Sequence, residues 1–140
     1  MKVRVKKLHP DAVIPKYSRN GDAGLDLVAI DRTLTVEGKW VYDTGLAFEI
    51  PKGFVGQIFP RSGIFKKTQR LSNSVGIIDS NFRGSIKFIF DGGYLSRENY
   101  EVGDRIGQLI IMPYPQIELE ESEELSETER GDQGFGSSGK

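Results

Sequence analysis

Cysteine is absent from this 140-residue chain, and histidine occurs once, at His9. Disulfides, zinc–thiolate centres and cysteine nucleophiles are thereby excluded. One imidazole cannot build a multi-histidine metal site. Any metal must take oxygen ligands, which points to Mg²⁺ or a similar hard cation. A hydrolase of this composition needs a carboxylate as its base. No run of 18 apolar residues occurs, so no transmembrane helix is expected. Met1-Lys2-Val3-Arg4-Val5 leads into charged and polar positions, so no secretory signal is expected either. The resulting expectation is a cytoplasmic location (host cytoplasm if the source is a virus).

What is present suits one folded domain. Hydrophobic residues make up 37% and charged residues 28%, enough for a core and against wholesale disorder. Glycine supplies 17 residues and punctuates short apolar runs. Thr33-Leu34-Thr35-Val36 alternates and stops at Glu37-Gly38; Ile86-Lys87-Phe88-Ile89-Phe90 alternates until Asp91-Gly92-Gly93. Leu25–Ile30, Trp40–Tyr42, Leu46–Ile50, Phe54–Phe59 and Ile106–Met112 are further β-branched or aromatic runs bounded by turn residues. Helical spacing is not sustained for ten residues anywhere, and Phe65–Leu71 has room for one short helix or loop. The pattern predicts an all-β domain, barrel or sandwich.

The net charge of −1 is a cancellation. Residues 118–129 hold seven Glu and no Lys or Arg, which leaves residues 1–117 at +5 and residues 130–140 at +1. The chain therefore divides into a mildly cationic body (1–117), an acidic connector (118–129) and a Gly-rich cationic tail (130–140). Self-repulsion would keep the connector extended, helping the tail reach a neighbouring subunit.

Several segments carry residue types suited to anion chemistry. Gly134-Phe135-Gly136-Ser137-Ser138-Gly139 fits G-x-G-x-x-G, but it stands one residue from the end of the sequence given, so no helix is expected after it and a dinucleotide fingerprint is not expected. Its backbone N–H groups and hydroxyls, with Arg130, suit phosphate; a plain solubilising tail is the alternative. Pro60-Arg61-Ser62-Gly63, at a strand end, is either an anion cradle or a turn with a surface arginine. Asp26 lies inside an apolar run and needs a partner, either an arginine or a metal-bound water. Gln108, inside another apolar run begun by Arg105, needs hydrogen bonds. Asp79 follows Gly76-Ile77-Ile78, an apolar approach that would desolvate the carboxylate and raise its basicity. Asn73 can read a base edge, and Phe82 offers a flat face. Turn formation is the competing explanation for Ser80-Asn81.

Taken in order, these segments resemble the five motifs of the trimeric dUTPase family. They are Asp22–Leu27, Pro60–Gly63, Gly76–Gly84, Gly103–Ile110 and Arg130–Gly139, spanning most of the chain. The resemblance implies a jelly-roll-like β-barrel, a homotrimer with shared active sites, and a C-terminal tail that closes over a site. It implies Mg²⁺-dependent hydrolysis of dUTP to dUMP and pyrophosphate, which limits uracil in DNA and supplies dUMP for dTMP synthesis. It implies no direct contact with nucleic acid or membrane.

By the same resemblance Asp79 is the base that activates water, and Gln108 is a ligand of phosphate or of that water. Arg61, Ser62 and Gly63 are phosphate ligands. Asn73 and the backbone near Gly76 recognise uracil, and Phe82 lies under deoxyribose. Asp26 holds metal through water. Arg130 grips the terminal phosphate, Phe135 stacks on uracil, and Gly136, Ser137 and Ser138 complete the closing tail, with both serines donating to phosphate. Phe82 stands where Tyr is common in the family, and Gly107 where Ala or Cys is common; neither removes a proposed catalytic group. A dCTP deaminase-like enzyme and a non-enzymatic nucleotide sensor on the same scaffold are the competing readings. The Gly-rich tail argues against the first and the intact Asp79 against the second.

Overall fold

The computed structural model describes residues 1–92 and 98–134. Ten strands and one 3-10 turn make up its regular structure. Strands β1 (Arg4–Lys7) and β5 (Leu46–Glu49) form a two-stranded ribbon. One four-stranded sheet runs β2 (Leu25–Val28), β10 (Arg105–Pro113), β6 (Phe54–Phe59), β8 (Gly76–Ile78). A second runs β3 (Asp31–Leu34), β4 (Trp40–Asp43), β9 (Lys87–Asp91), β7 (Arg70–Leu71). Every pairing is antiparallel. The fold is all-β, as the apolar runs predict, and jelly-roll-like, as the resemblance implies. The Phe65–Leu71 stretch resolves into the end of a 3-10 turn (Ser62–Lys66) and the short β7.

The core lies between the two larger sheets. Leu27, Ile58, Ile106 and Leu109 come from one, and Tyr42, Phe88 and Phe90 from the other, with Leu46 and Ile86 filling the same cluster. Alternation explains the selection. In β9, Phe88 and Phe90 are buried while Lys87 and Ile89 are exposed. The Phe88 and Phe90 rings stack at 6.2 Å with 10° between their planes. The buried Gln69 is paired on both sides: it donates to the Tyr42 hydroxyl at 3.0 Å and accepts from the Tyr100 backbone N–H at 2.9 Å. This network ties the segment after the 3-10 turn to the core, so the turn that follows Arg61 rests on a rigid support.

Asp43, at the end of β4, is a second anchor. Burial pushes its carboxyl up, but hydrogen bonds from Ser85, the Gly45 N–H and Lys87 outweigh it and hold Asp43 below its ordinary value of 3.8. The Gly45 bond is 2.8 Å and the Lys87 contact 3.2 Å. A carboxylate whose folded pKa is depressed stabilises the fold above its unfolded pKa and loses that contribution as pH falls through the folded one. Thermal unfolding followed from about pH 5 to about pH 3 should therefore fall less steeply for Asp43→Asn than for the wild type. Equal slopes would remove Asp43 from the acid response.

Beyond β10, residues 114–127 adopt no helix or strand, and all are exposed. Among the described residues no helix is long and apolar enough to cross a membrane.

Candidate functional site

The polar cleft begins at Asp26, in the middle of β2. Asp26 faces Gln108 across the β2–β10 ladder. Its Oδ1 accepts from Arg61 Nε at 2.9 Å and its Oδ2 from an Arg105 guanidinium nitrogen at 3.2 Å. The partner that a charge in an apolar run requires is thus a pair of arginines. Arg61 stands one residue past Pro60, where β6 has ended and the 3-10 turn begins. Gln108 donates from Nε2 to the Pro60 carbonyl at 3.2 Å, which answers its need for a partner. Its Oε1 lies 2.3 Å from where a Cβ on Gly24 would sit, so any side chain there would displace the Gln108 carboxamide. Ser62 lines the same cleft, which encloses about 590 Å³, and no atom lies within 4 Å of where a Gly63 Cβ would stand.

Two cleft residues lie outside the motifs read from the sequence. Ser18 and Arg19 line it as well. Ser18 and Arg19 belong to a polar stretch just ahead of the Asp22–Leu27 motif, and that adjacency was the available signal.

The second group of residues lies elsewhere on the chain. In β8, Gly76 packs inward on Ile58, whose side chain would meet a Gly76 Cβ at 2.4 Å. Asn73 is drawn to the same glycine, its amide nitrogen 3.3 Å from that Cβ position. Asp79 follows Ile78 into a turn closed by the Phe82 N–H donating to the Asp79 carbonyl at 3.1 Å. Phe82 is 43% exposed, and its ring lies over Gly84, whose Cβ would stand 2.5 Å from the ring tip. Arg83 staples the turn by donating to the Ser80 and Phe82 carbonyls at 2.7 and 2.8 Å.

Here the structure corrects one sequence expectation. Asp79 is exposed in its own chain, not desolvated. The apolar approach is one-sided: Gly76, buried, and Ile78, half-buried, take the inner face of the sheet, while Ile77, at 58% exposure, and Asp79 share the outward face. Desolvation of Asp79 therefore has to come from a partner or a bound ligand.

Asp79 and Arg61 do not meet within one chain. Ile78 pairs with Gly56 near the start of β6, whereas Arg61 lies past its end. Five residues of extended strand separate these levels, roughly 16 Å. Asp79 instead lines a separate cleft of about 420 Å³ with Lys52, Tyr114 and Gln116. Arg130 is exposed in a turn of its own, donating from Nε to the Gln133 carbonyl at 2.9 Å, and does not line the Asp26 cleft. Phe135, Gly136, Ser137 and Ser138 lie outside the described residues.

An all-β chain that converges two guanidiniums, a carboxamide and a hydroxyl on a polar cleft defines an anion-binding β protein. Comparison with known proteins narrows this class. A family model described as dUTPase matches residues 10–139. The deoxyuridine 5'-triphosphate nucleotidohydrolase of Nautilia profundicola is 45% identical, with each chain covered in full. The dUTPase of Staphylococcus bacteriophage 80alpha, solved with dUpNHpp, superposes with a TM-score of 0.84 at 30% identity, over 99% of this chain and 98% of that one. A variant dUTPase from phage phi11 of S. aureus, solved to detail the coordination of a structural Mg(II) ion, gives 0.75 at 25% identity over 89% and 98%. The chain belongs to the dUTPase family.

Proposed function

We propose that this chain hydrolyses dUTP to dUMP and pyrophosphate, with water attacking the α-phosphorus and Asp79 accepting its proton. The observation that carries this reading is the doubly paired Asp26 with Gln108 beside it, in a member of the dUTPase family. A triphosphate brings several negative charges. Arg61 and Arg105 can exchange part of their pairing with Asp26 for phosphate oxygens, and such preformed donors act strongly on charge that develops during displacement. Ser62 adds a hydroxyl donor, the open space beside Gly63 admits the phosphate chain, and Gln108 contacts a phosphate oxygen or the attacking water. Asn73 and the backbone at Gly76 read the uracil edge. Phe82 lies against deoxyribose, where a 2′-hydroxyl would collide.

The separation of Asp79 from Arg61 supports a shared site. We infer a homotrimer in which the Asp79–Phe82 turn of one copy faces the Arg61–Gln108 cleft of another. The body is residues 1–117. Residues 118–129 act as the connector, and residues 130–140 act as a lid that brings Arg130, Phe135, Gly136, Ser137 and Ser138 onto the nucleotide. Closure of such a lid excludes water and strengthens every charge interaction beneath it.

Mg²⁺ fits this donor set through an outer contact. Among the described residues no group of three or more His, Cys, Asp or Glu is arranged to hold a metal, and both Asp26 oxygens are engaged by arginines. Asp26 suits a contact through water, with the triphosphate supplying inner oxygens, the way Mg²⁺ commonly binds. When bound, Mg²⁺ would neutralise charge on the phosphates.

A nucleotide panel with Mg²⁺ tests the whole reading. Pyrophosphate release from dUTP should exceed that from dCTP, dTTP and UTP by at least about a hundredfold. Comparable turnover of UTP would sink the role of Phe82. Ammonia release from dCTP would favour a deaminase, and binding without turnover a sensor.

A further inference from the structure

Arg105 and Gln108 line the same cleft although they are three residues apart on one strand. In a regular strand an odd spacing sends side chains to opposite faces. The β2–β10 register explains the exception. Gln108 faces Asp26 and Gly107 faces Leu27, but Arg105 faces Val28, so the ladder shifts between Arg105 and Gly107 and one residue is extra. Ile106, fully buried, takes up the surplus. This bulge returns Arg105 to the face of Asp26, two positions from Val28 on the same side, and makes the 3.2 Å Arg105–Asp26 contact possible.

The bulge has a tight seat. A Cβ on Gly107 would stand 2.0 Å from Phe88 Cε1, 2.5 Å from Phe88 Cζ and 2.8 Å from the Phe59 carbonyl oxygen. Phe88 is fully buried and stacked on Phe90, so its ring has little freedom to retreat. Phe59 immediately precedes Pro60, whose carbonyl receives the Gln108 amide. Anything that lifts Gly107 off Phe88 therefore shifts Gln108 at one end of that hydrogen bond and pushes on the chain carrying its acceptor at the other.

We propose that Gly107 and Phe88 are a positioning pair. With Phe88 filling the space beneath residue 107, only a bare glycine backbone lets the bulge settle so that Arg105 and Gln108 aim together into the cleft. Neither residue touches substrate; both act through Gln108 and Arg105. The proposal rests on the dUTP-hydrolysing reading above for its kinetic test, and on geometry alone for a spectroscopic one.

The test compares full-length wild type, Gly107→Ala, Phe88→Leu and the double variant. Leucine removes the ring atoms that a Cβ would strike. Gly107→Ala should lower kcat for dUTP at least about tenfold, with KM changed less than about threefold. Phe88→Leu alone should lower the unfolding midpoint yet keep kcat within about threefold of wild type, since its cavity cost falls on the core. The double variant should recover a large part of the lost kcat while its midpoint stays low. The Gln108 side-chain amide resonances, assigned with Gln108→Glu, should shift in Gly107→Ala and return toward wild-type positions in the double variant. Wild-type kcat in Gly107→Ala overturns the proposal, as does a double variant with no recovery or unmoved Gln108 resonances. If Gly107→Ala alone does not fold, the double variant is compared with Phe88→Leu, and a kcat more than about tenfold below that of Phe88→Leu overturns the pair. If the wild type fails to turn over dUTP, the functional reading fails by itself, and the Gln108 resonances still decide the positioning pair.

Discussion

Asp79→Asn is expected to lower dUTP turnover by about 10²–10⁴-fold, the range a positioned general base contributes. The substitution is nearly isosteric and removes only the ability to accept a proton. Its structural cost should be small. Asp79 is exposed, and among the described residues no side-chain hydrogen bond or ion pair holds its carboxylate. What the fold uses is its backbone carbonyl, which accepts from Phe82 and which asparagine retains. Asparagine is also a good turn residue. Calorimetric affinity for dUpNHpp and the thermal midpoint should stay near wild type while kcat collapses. A rate within about threefold of wild type would end the assignment of Asp79 as base.

The second large effect joins two chains. Arg61→Ala removes a guanidinium from the phosphate cleft and should lower kcat/KM by about 10²–10³-fold, the loss typical of one preorganised donor. Asp26 keeps Arg105, so the fold should persist. Because Asp79 and Arg61 lie at opposite ends of β6, a shared site would take them from different copies. Co-refolding Arg61→Ala with Asp79→Asn in equal amounts should then regenerate activity that neither variant has. Random mixing would leave about one quarter of the sites with both groups intact. Activity no greater than the mean of the two parents would place both groups in one chain and sink the shared-site arrangement.

Much of this was legible in the residues. The strands announced themselves because one buried face forces alternation, as in β9, and turn residues mark the ends. The order of five motifs along the chain pointed to the family, and an apolar run interrupted by Asp26 demanded a partner. The identity of that partner was not legible. Arg61 and Arg105 lie 35 and 79 residues away in sequence and reach Asp26 only through sheet pairing. The solvation of Asp79 was misread for a related reason. Neighbours in sequence do not desolvate a side chain when alternate residues of a strand face opposite ways.

No cysteine and one histidine exclude thiol and multi-histidine chemistry and leave carboxylates, guanidiniums, hydroxyls and amides, because the available side-chain chemistry is settled by composition. Periodicity confined the fold to β structure, because it is a local property of the chain. Geometry was decided elsewhere. That Arg105 and Gln108 share a face depends on one extra residue in a ladder, and that Asp79 stands apart from Arg61 depends on which end of β6 each reaches. Both follow from long-range strand registers, set by the packing of the whole core and not by any short stretch of residues.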